Sequence, residues 1–191
     1  MKKITTLLCL FCGFAFAGPL TLADVEALGV QTIDQFKQQI KGEMKKYKHD
    51  KVLMAEVCIK NAEFLSQKFN QSLQGGVELK RITQKERNQK NKPETIEEQQ
   101  VLQAFELLAT SGVFMPKNVI QITQNGDYKY FAPIMLDESS CVSCHGTKQK
   151  IAPEIQNLLS KTYPNDKAIN YERGDFRGAF VVTVKPKDFI K

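Results

Sequence analysis

The stretch NVIQITQNGDYKYFAPIMLDESSCVSCHG (residues 118–146) decides the reading of the fold. It opens with two strand-like runs, 118–123 around Val119, Ile120 and Ile122, and 128–136 around Tyr128, Tyr130 and Phe131. Asn125-Gly126 between them is a hairpin signal, because both residue types tolerate the positive φ a tight turn requires. The second run leads into Cys141-Val142-Ser143-Cys144-His145. Two thiols three positions apart can each add across one vinyl group of a single porphyrin, and the histidine that follows is then held under the iron. C-x-x-C-H is thus the attachment sequence of one covalent haem c. A zinc site would need about four ligands, and beyond the first 17 residues the only other Cys and His are Cys58 and His49. A thioredoxin-like C-x-x-C would need a βαβ context, which this pattern lacks.

Upstream of the hairpin the periodicity is helical. Residues 22–47 carry Val25, Leu28, Ile33, Phe36 and Ile40 at helical spacing, which predicts one amphipathic helix, or two broken around Gly29. Residues 52–73 carry a stripe of Val52, Ala55, Ile59, Ala62, Leu65 and Phe69, ended by Gly75-Gly76. A short strand is expected over 77–83 and a polar loop over 87–93. Pro93 is read as opening a third helix, with Glu94, Glu97 and Glu98 early in it and Gly112 at its end. Beyond the haem motif come a short helix over 153–163, a turn-rich loop over 171–178 and a last strand over 179–184. Helices followed by an antiparallel sheet give the α+β class.

Residues 1–17 have the layout of a secretory signal peptide: Lys2 and Lys3, an apolar run over 4–16, and the cleavage pattern Ala15-Phe16-Ala17. The run is short of the ~20 residues a membrane span needs. The expected location is the periplasm, where covalent haem attachment takes place, so leader and motif support each other. Residues 18–191 are expected to form a single haem-bearing domain, with helices over about 20–73 and an α+β part over about 77–186. The net charge of +6 falls to +4 once Lys2 and Lys3 are removed. Lys37, Lys41, Lys45, Lys46, Lys48 and Lys51 outnumber Glu43 and Asp50 in one segment. That segment is read as a solvated helix face, with docking to an acidic partner or an anionic membrane surface as the alternative. No nucleic-acid module is recognisable.

Several segments match a known pattern: Ala55-Glu56-Val57-Cys58; Arg87-Asn88 with Asn91, Pro93 and Glu97; 141–146; Tyr163-Pro164 with Asp166-Lys167-Ala168; and Tyr171 followed by Gly174-Asp175-Phe176-Arg177-Gly178-Ala179. In their order and spacing the chain resembles a family of exported single-haem c-type proteins with a PAS-like fold, found alone or as sensory portions of membrane receptors. The resemblance implies a PAS-like antiparallel sheet with long N-terminal helices, a covalent haem, and a cysteine at position 58. Gln89 stands where the family usually has proline, and Asn170 where it usually has glycine. Asn tolerates positive φ, so the second change can be accommodated.

With His145 on one face of the iron, the ligand on the other face sets the function. Candidates are Cys58, His49, Met44, Met54, Met115 and Met135. Cys58 has no thiol partner once Cys141 and Cys144 are thioethers, which leaves three readings: axial thiolate, inert buried thiol, or intermolecular disulfide. The axial thiolate is the expectation taken forward. Arg87 and Arg177 are candidates to pair with haem propionates, or else they fix loop geometry together with Asn88, Asn91 and Asp175. Gly174 and Gly178 are read as glycines required by the backbone. Phe131, Tyr128 and Tyr130 either wall the haem or pack the sheet. The expected role is electron transfer or redox sensing with a separate redox or signalling partner protein, the alternative being a gas-responsive haem sensor working through such a partner. No enzyme is expected, for want of a distal acid–base group.

Overall fold

The computed structural model describes residues 19–137 and 140–189, so the expected leader over 1–17 lies outside the described residues. Two long helices come first, α1 (Leu22–Lys45) and α2 (Lys51–Ser72), followed by β1 (Val77–Ile82) and α3 (Ile96–Ser111). The hairpin β2 (Val119–Ile122) and β3 (Tyr128–Met135) precedes a single turn, α4 (Val142–His145), then α5 (Pro153–Thr162) and β4 (Phe176–Val184). The strands form one antiparallel sheet in the order β1-β4-β3-β2. The expected α+β class and PAS-like antiparallel sheet with N-terminal helices are borne out.

β4 takes the centre of the sheet because it is apolar on both sides. Phe180, Val182 and Val184 join Val25, Leu28, Ile33 and Phe36 of α1 and Phe69 of α2 in one core. Ala179 and Val181 join Val101, Leu102 and Phe105 of α3 in a second core on the opposite face. This strand starts at Phe176, earlier than the expected 179.

The helix ends follow their capping chemistry. Thr21 and Asp24 cap α1 reciprocally, and the Asp50 carboxylate accepts from the Val52 and Leu53 N–H groups to start α2. α3 begins after Thr95, whose hydroxyl accepts from Glu98, so Pro93 and Glu94 precede the helix rather than open it. Gly112 ends α3 in the left-handed conformation (φ 65°).

Gly29 does not break α1. A Cβ there would lie 2.4 Å from Cγ of Tyr130, so the glycine is where a strand side chain presses onto the helix. The hairpin turn also differs in kind from a two-residue loop. Gly126 alone takes positive φ (85°), its N–H bonds to Thr123 O, and the Thr123 N–H bonds to Asp127 O. This is a type I turn closed by a left-handed glycine. Gly174 (φ 92°) and Gly178 (φ 151°) take the glycine geometry expected of them, and Asn170 is held at φ 64°.

α2 spans two regions. Its Phe69 end lies in the sheet core, whereas Ala55, with Val52 and Ile59, packs on Ile151, Ile155 and Leu159 around α5. Among the described residues, no helix is long and apolar enough to cross a membrane.

Candidate functional site

β3 delivers the chain to the motif, and the Leu136 N–H bonds to Asp175 O as the strand ends. The motif then closes one helical turn, with the His145 N–H on Cys141 O at 3.0 Å. Cys141 and Cys144, three positions apart, therefore share a face of that turn. Cys58, Cys141 and Cys144 are all free thiols, each half-buried. Cys144 packs into the α2–α5 cluster, and Cys141 packs against Leu136, Ala168 and Tyr171. Burial pushes the Cys144 thiol above its ordinary range.

His145 is fixed from three sides. Its Nδ1 lies 2.8 Å from Ala168 O. A carbonyl can only accept, so Nδ1 carries the proton and Nε2 is left as a free donor atom. The ring meets Tyr171 edge-on, with centroids 6.3 Å apart. Burial, then the Arg87 and Arg177 charges, lower its pKa to about 3, so the imidazole is neutral at pH 7. Backbone bonds from Tyr171 N–H to His145 O and from Asn170 N–H to Gly146 O, both 2.9 Å, fasten the 168–171 segment to the motif. Asn170 supplies the positive φ that lets this segment turn.

Arg87 ties these pieces together. Its Nε donates to Asp166 Oδ2 at 2.9 Å, and its Nη2 donates to Cys144 O at 2.6 Å and to Ala168 O at 3.2 Å. One carbonyl, that of Ala168, thus accepts from both His145 and Arg87. Glu86, 2% exposed, anchors the same loop through Lys167 at 3.1 Å. Arg177 donates to Thr83 Oγ1 at 2.7 Å and lies over the Tyr171 ring, 5.4 Å from its centroid. Asn88 accepts from Lys90 N–H, and Asp175 accepts from Glu172 N–H, so both shape their own loops.

Cys58 reaches the site from α2. Its Sγ lies 3.0 Å from Met44 Sδ, near the C-terminal end of α1. Burial, then the Cys144 thiol, raise the Cys58 pKa, while Arg81 and Arg87 act in the opposite sense. The structure therefore brings Cys58, Cys141, Cys144, His145, Arg87 and Arg177 into one electrostatic neighbourhood. His49 is exposed in the turn between α1 and α2. Met115 and Met135 pack in the α3 core, Tyr130 and Phe131 lie in the two sheet cores, and Tyr128 packs against the α1 core. Among the described residues, no three of His, Cys, Asp and Glu gather as a cage for a bare metal ion.

Arg81 was not singled out by sequence. It lies on β1, its guanidinium 5.6 Å from the Phe36 ring centroid and Nη2 3.5 Å from Ser66 Oγ. Burial, then the charge of Arg177, lower its pKa. Among the described residues neither Arg81 nor Arg177 forms an ion pair. The alternation Val77, Leu79, Arg81 was the available signal, since it aims Arg81 at the same face as two core residues. The Ala168 carbonyl left no signal, because any residue type supplies one.

The model of the family described as Tll0287-like matches residues 22–185. Among solved structures, the crystal structure of the cyanobacterial haem protein Tll0287 is similar, with a TM-score of 0.64 and 22% identity over 88% of this chain and 98% of that one. At that identity the likeness shows the fold. Comparison with curated proteins returns no match. The family match runs from the first residue of α1 to just past β4, and the chain belongs to the Tll0287-like family.

Proposed function

We propose, on the premise of that membership, that this chain is a periplasmic haem protein acting in electron transfer or redox sensing rather than as an enzyme. Cys141 and Cys144 would hold one haem c by thioether bonds, and His145 and Cys58 would supply the donors to its iron. When bound, the haem supplies a one-electron Fe(III)/Fe(II) couple.

The observation that carries this reading is the state of His145. Its Nδ1–H is committed to Ala168 O at 2.8 Å, which fixes the tautomer and ring direction and leaves Nε2 unprotonated. A metal-ligating histidine is held in this way. The free thiols of Cys141 and Cys144 share the turn that carries it, and the Cys58 thiol stands within electrostatic reach of Cys144. The residues therefore fit the group. Burial raises the Cys58 pKa, and the charges of Arg81 and Arg87 act against that rise. Arg87 is already committed to Asp166 and two carbonyls, so it positions the motif. Arg177, joined by Arg81, is left as the better donor to the propionates.

The test is absorption and ferric EPR spectroscopy of the holoprotein beside Cys58→Ala, after acid–organic extraction to establish covalent attachment. We expect haem to stay with the polypeptide and the thiolate signature to vanish in the variant. Haem lost on extraction would remove the thioether assignment, and unchanged spectra would remove Cys58 from the iron.

A further inference from the structure

We propose that Met44 is the alternate axial donor to Cys58: the Cys58 thiolate holds the sixth position in the ferric protein, and the Met44 thioether takes it in the ferrous protein. This rests on the reading of Cys58 as axial ligand.

The two sulfur atoms are already adjacent, at 3.0 Å, although one belongs to α1 and the other to α2. A donor that replaces Cys58 therefore needs little travel. Met44 is not explained as filler of a core. Met115 and Met135 pack beneath α3, whereas Met44 belongs to none of the four apolar clusters and is half-buried. It sits two residues before the C-cap of α1, just ahead of the short connection that enters α2 at Asp50.

Chemistry distinguishes the two donors. A thiolate pushes electron density onto iron and favours Fe(III), and a neutral thioether suits Fe(II). Reduction with the thiolate retained would add a negative charge to a site in which Cys58 is half-buried, and uncompensated buried charge is costly. Exchange avoids that. One electron from an external one-electron donor reduces Fe(III) to Fe(II), the Fe–Sγ bond of Cys58 breaks, Sγ takes a proton from solvent, and an Fe–Sδ bond to Met44 forms. One electron and one proton enter, so the site's net charge is unchanged.

The experiment compares holoprotein spectra of wild type, Met44→Leu, Met54→Leu and Cys58→Ala in both oxidation states, with CO added to the ferrous forms. A Met-to-Leu exchange conserves volume and is well tolerated, and a wild-type ferric spectrum in Met44→Leu shows that the variant is folded. We expect Met44→Leu to lose the low-spin six-coordinate ferrous spectrum and to bind CO faster than wild type, with Met54→Leu unchanged. A ferrous spectrum unmoved by Met44→Leu, or moved instead by Met54→Leu, overturns the exchange. Where Cys58→Ala changes the ferric spectrum, that failure is confined to the exchange; where it does not, the thiolate reading falls and takes the exchange with it.

Discussion

Replacing Arg87 by Met tests the assembly of the site. The substitution keeps much of the apolar stem and deletes three hydrogen bonds, to Asp166 Oδ2, Cys144 O and Ala168 O. The side chains of Arg87 and Asp166 are only 13% and 11% exposed, so water cannot fully replace the lost partner. Removing one member of a buried ion pair costs roughly 3–5 kcal/mol. The lower end applies here, because Asp166 Oδ1 keeps the Ala168 N–H at 2.8 Å and Ala168 O keeps His145. We expect about 3 kcal/mol of lost stability, or roughly 6–12 °C in Tm for a domain of this size.

The double variant Arg87→Met/Asp166→Asn removes the orphaned carboxylate as well, and should recover about 1–2 kcal/mol relative to the sum of the single losses. Urea unfolding followed by far-UV circular dichroism, with the m-value checked for constancy, measures both quantities. A single loss below about 1 kcal/mol, which is the worth of an exposed pair, would refute the argument that this guanidinium fastens the motif. So would strict additivity in the double variant.

Two further outcomes follow from other parts of the structure. Glu98 is fully buried between Lys129 at 2.8 Å and Lys80 at 3.0 Å. Burial alone would raise its pKa, but bonds from Lys129, the Glu94 N–H and Lys80 outweigh it and hold the carboxyl below its ordinary 4.5. The unfolded chain binds the proton more readily, so this stabilisation is present above the unfolded value of about 4.5 and is lost as pH falls through the lower folded value. Glu98→Gln should cost about 3 kcal/mol at pH 7, and the gap to wild type should narrow below that range; a gap independent of pH would contradict the account. At Gly29 an added Cβ meets the buried Tyr130 ring, whereas at Gly42 it meets nothing within 4 Å. Gly29→Ala should therefore destabilise by about 1–3 kcal/mol while Gly42→Ala stabilises by about 0.5–1 kcal/mol, and equal shifts in thermal melts would remove Tyr130 from the explanation.

What could be read from sequence was local. The haem motif is five consecutive residues, the hairpin is two runs around one glycine, and the α2 stripe repeats along a single helix. What escaped depends on partners far along the chain. Gly29 is a helix breaker by composition, and only Tyr130, a strand residue about a hundred positions later, makes it a packing site. Pro93 fits a helix start by rule, yet Thr95 holds the capping hydroxyl and wins. In the site, Cys58, Arg87 and Arg177 were nominated by residue type and resemblance, but the bonds of Arg87 to the Cys144 and Ala168 carbonyls required the loops to meet. Arg81 was passed over because a charged residue in a short strand is normally its solvent side, whereas here it lies over Phe36.

The placement of Cys58 bears on carrier against sensor. The α2 helix is held at one end by Phe69, whose ring lies 5.2 Å from that of Phe36 in the sheet core, and near its other end by Ala55 on the α5 cluster that includes Cys144. Between these anchorages, most of the expected stripe is only half-buried, including Ala62 and Leu65. A pure carrier gains from a rigid ligand, because reorganisation on electron transfer slows exchange. Here one sulfur sits on a doubly anchored helix, and the sulfur it touches sits in the last turn of another helix, ahead of an exposed connection. A change of ligand at Cys58 would therefore be absorbed by the end of α1 and residues 46–50 rather than by the sheet. That is the segment in which lysines outnumber acids.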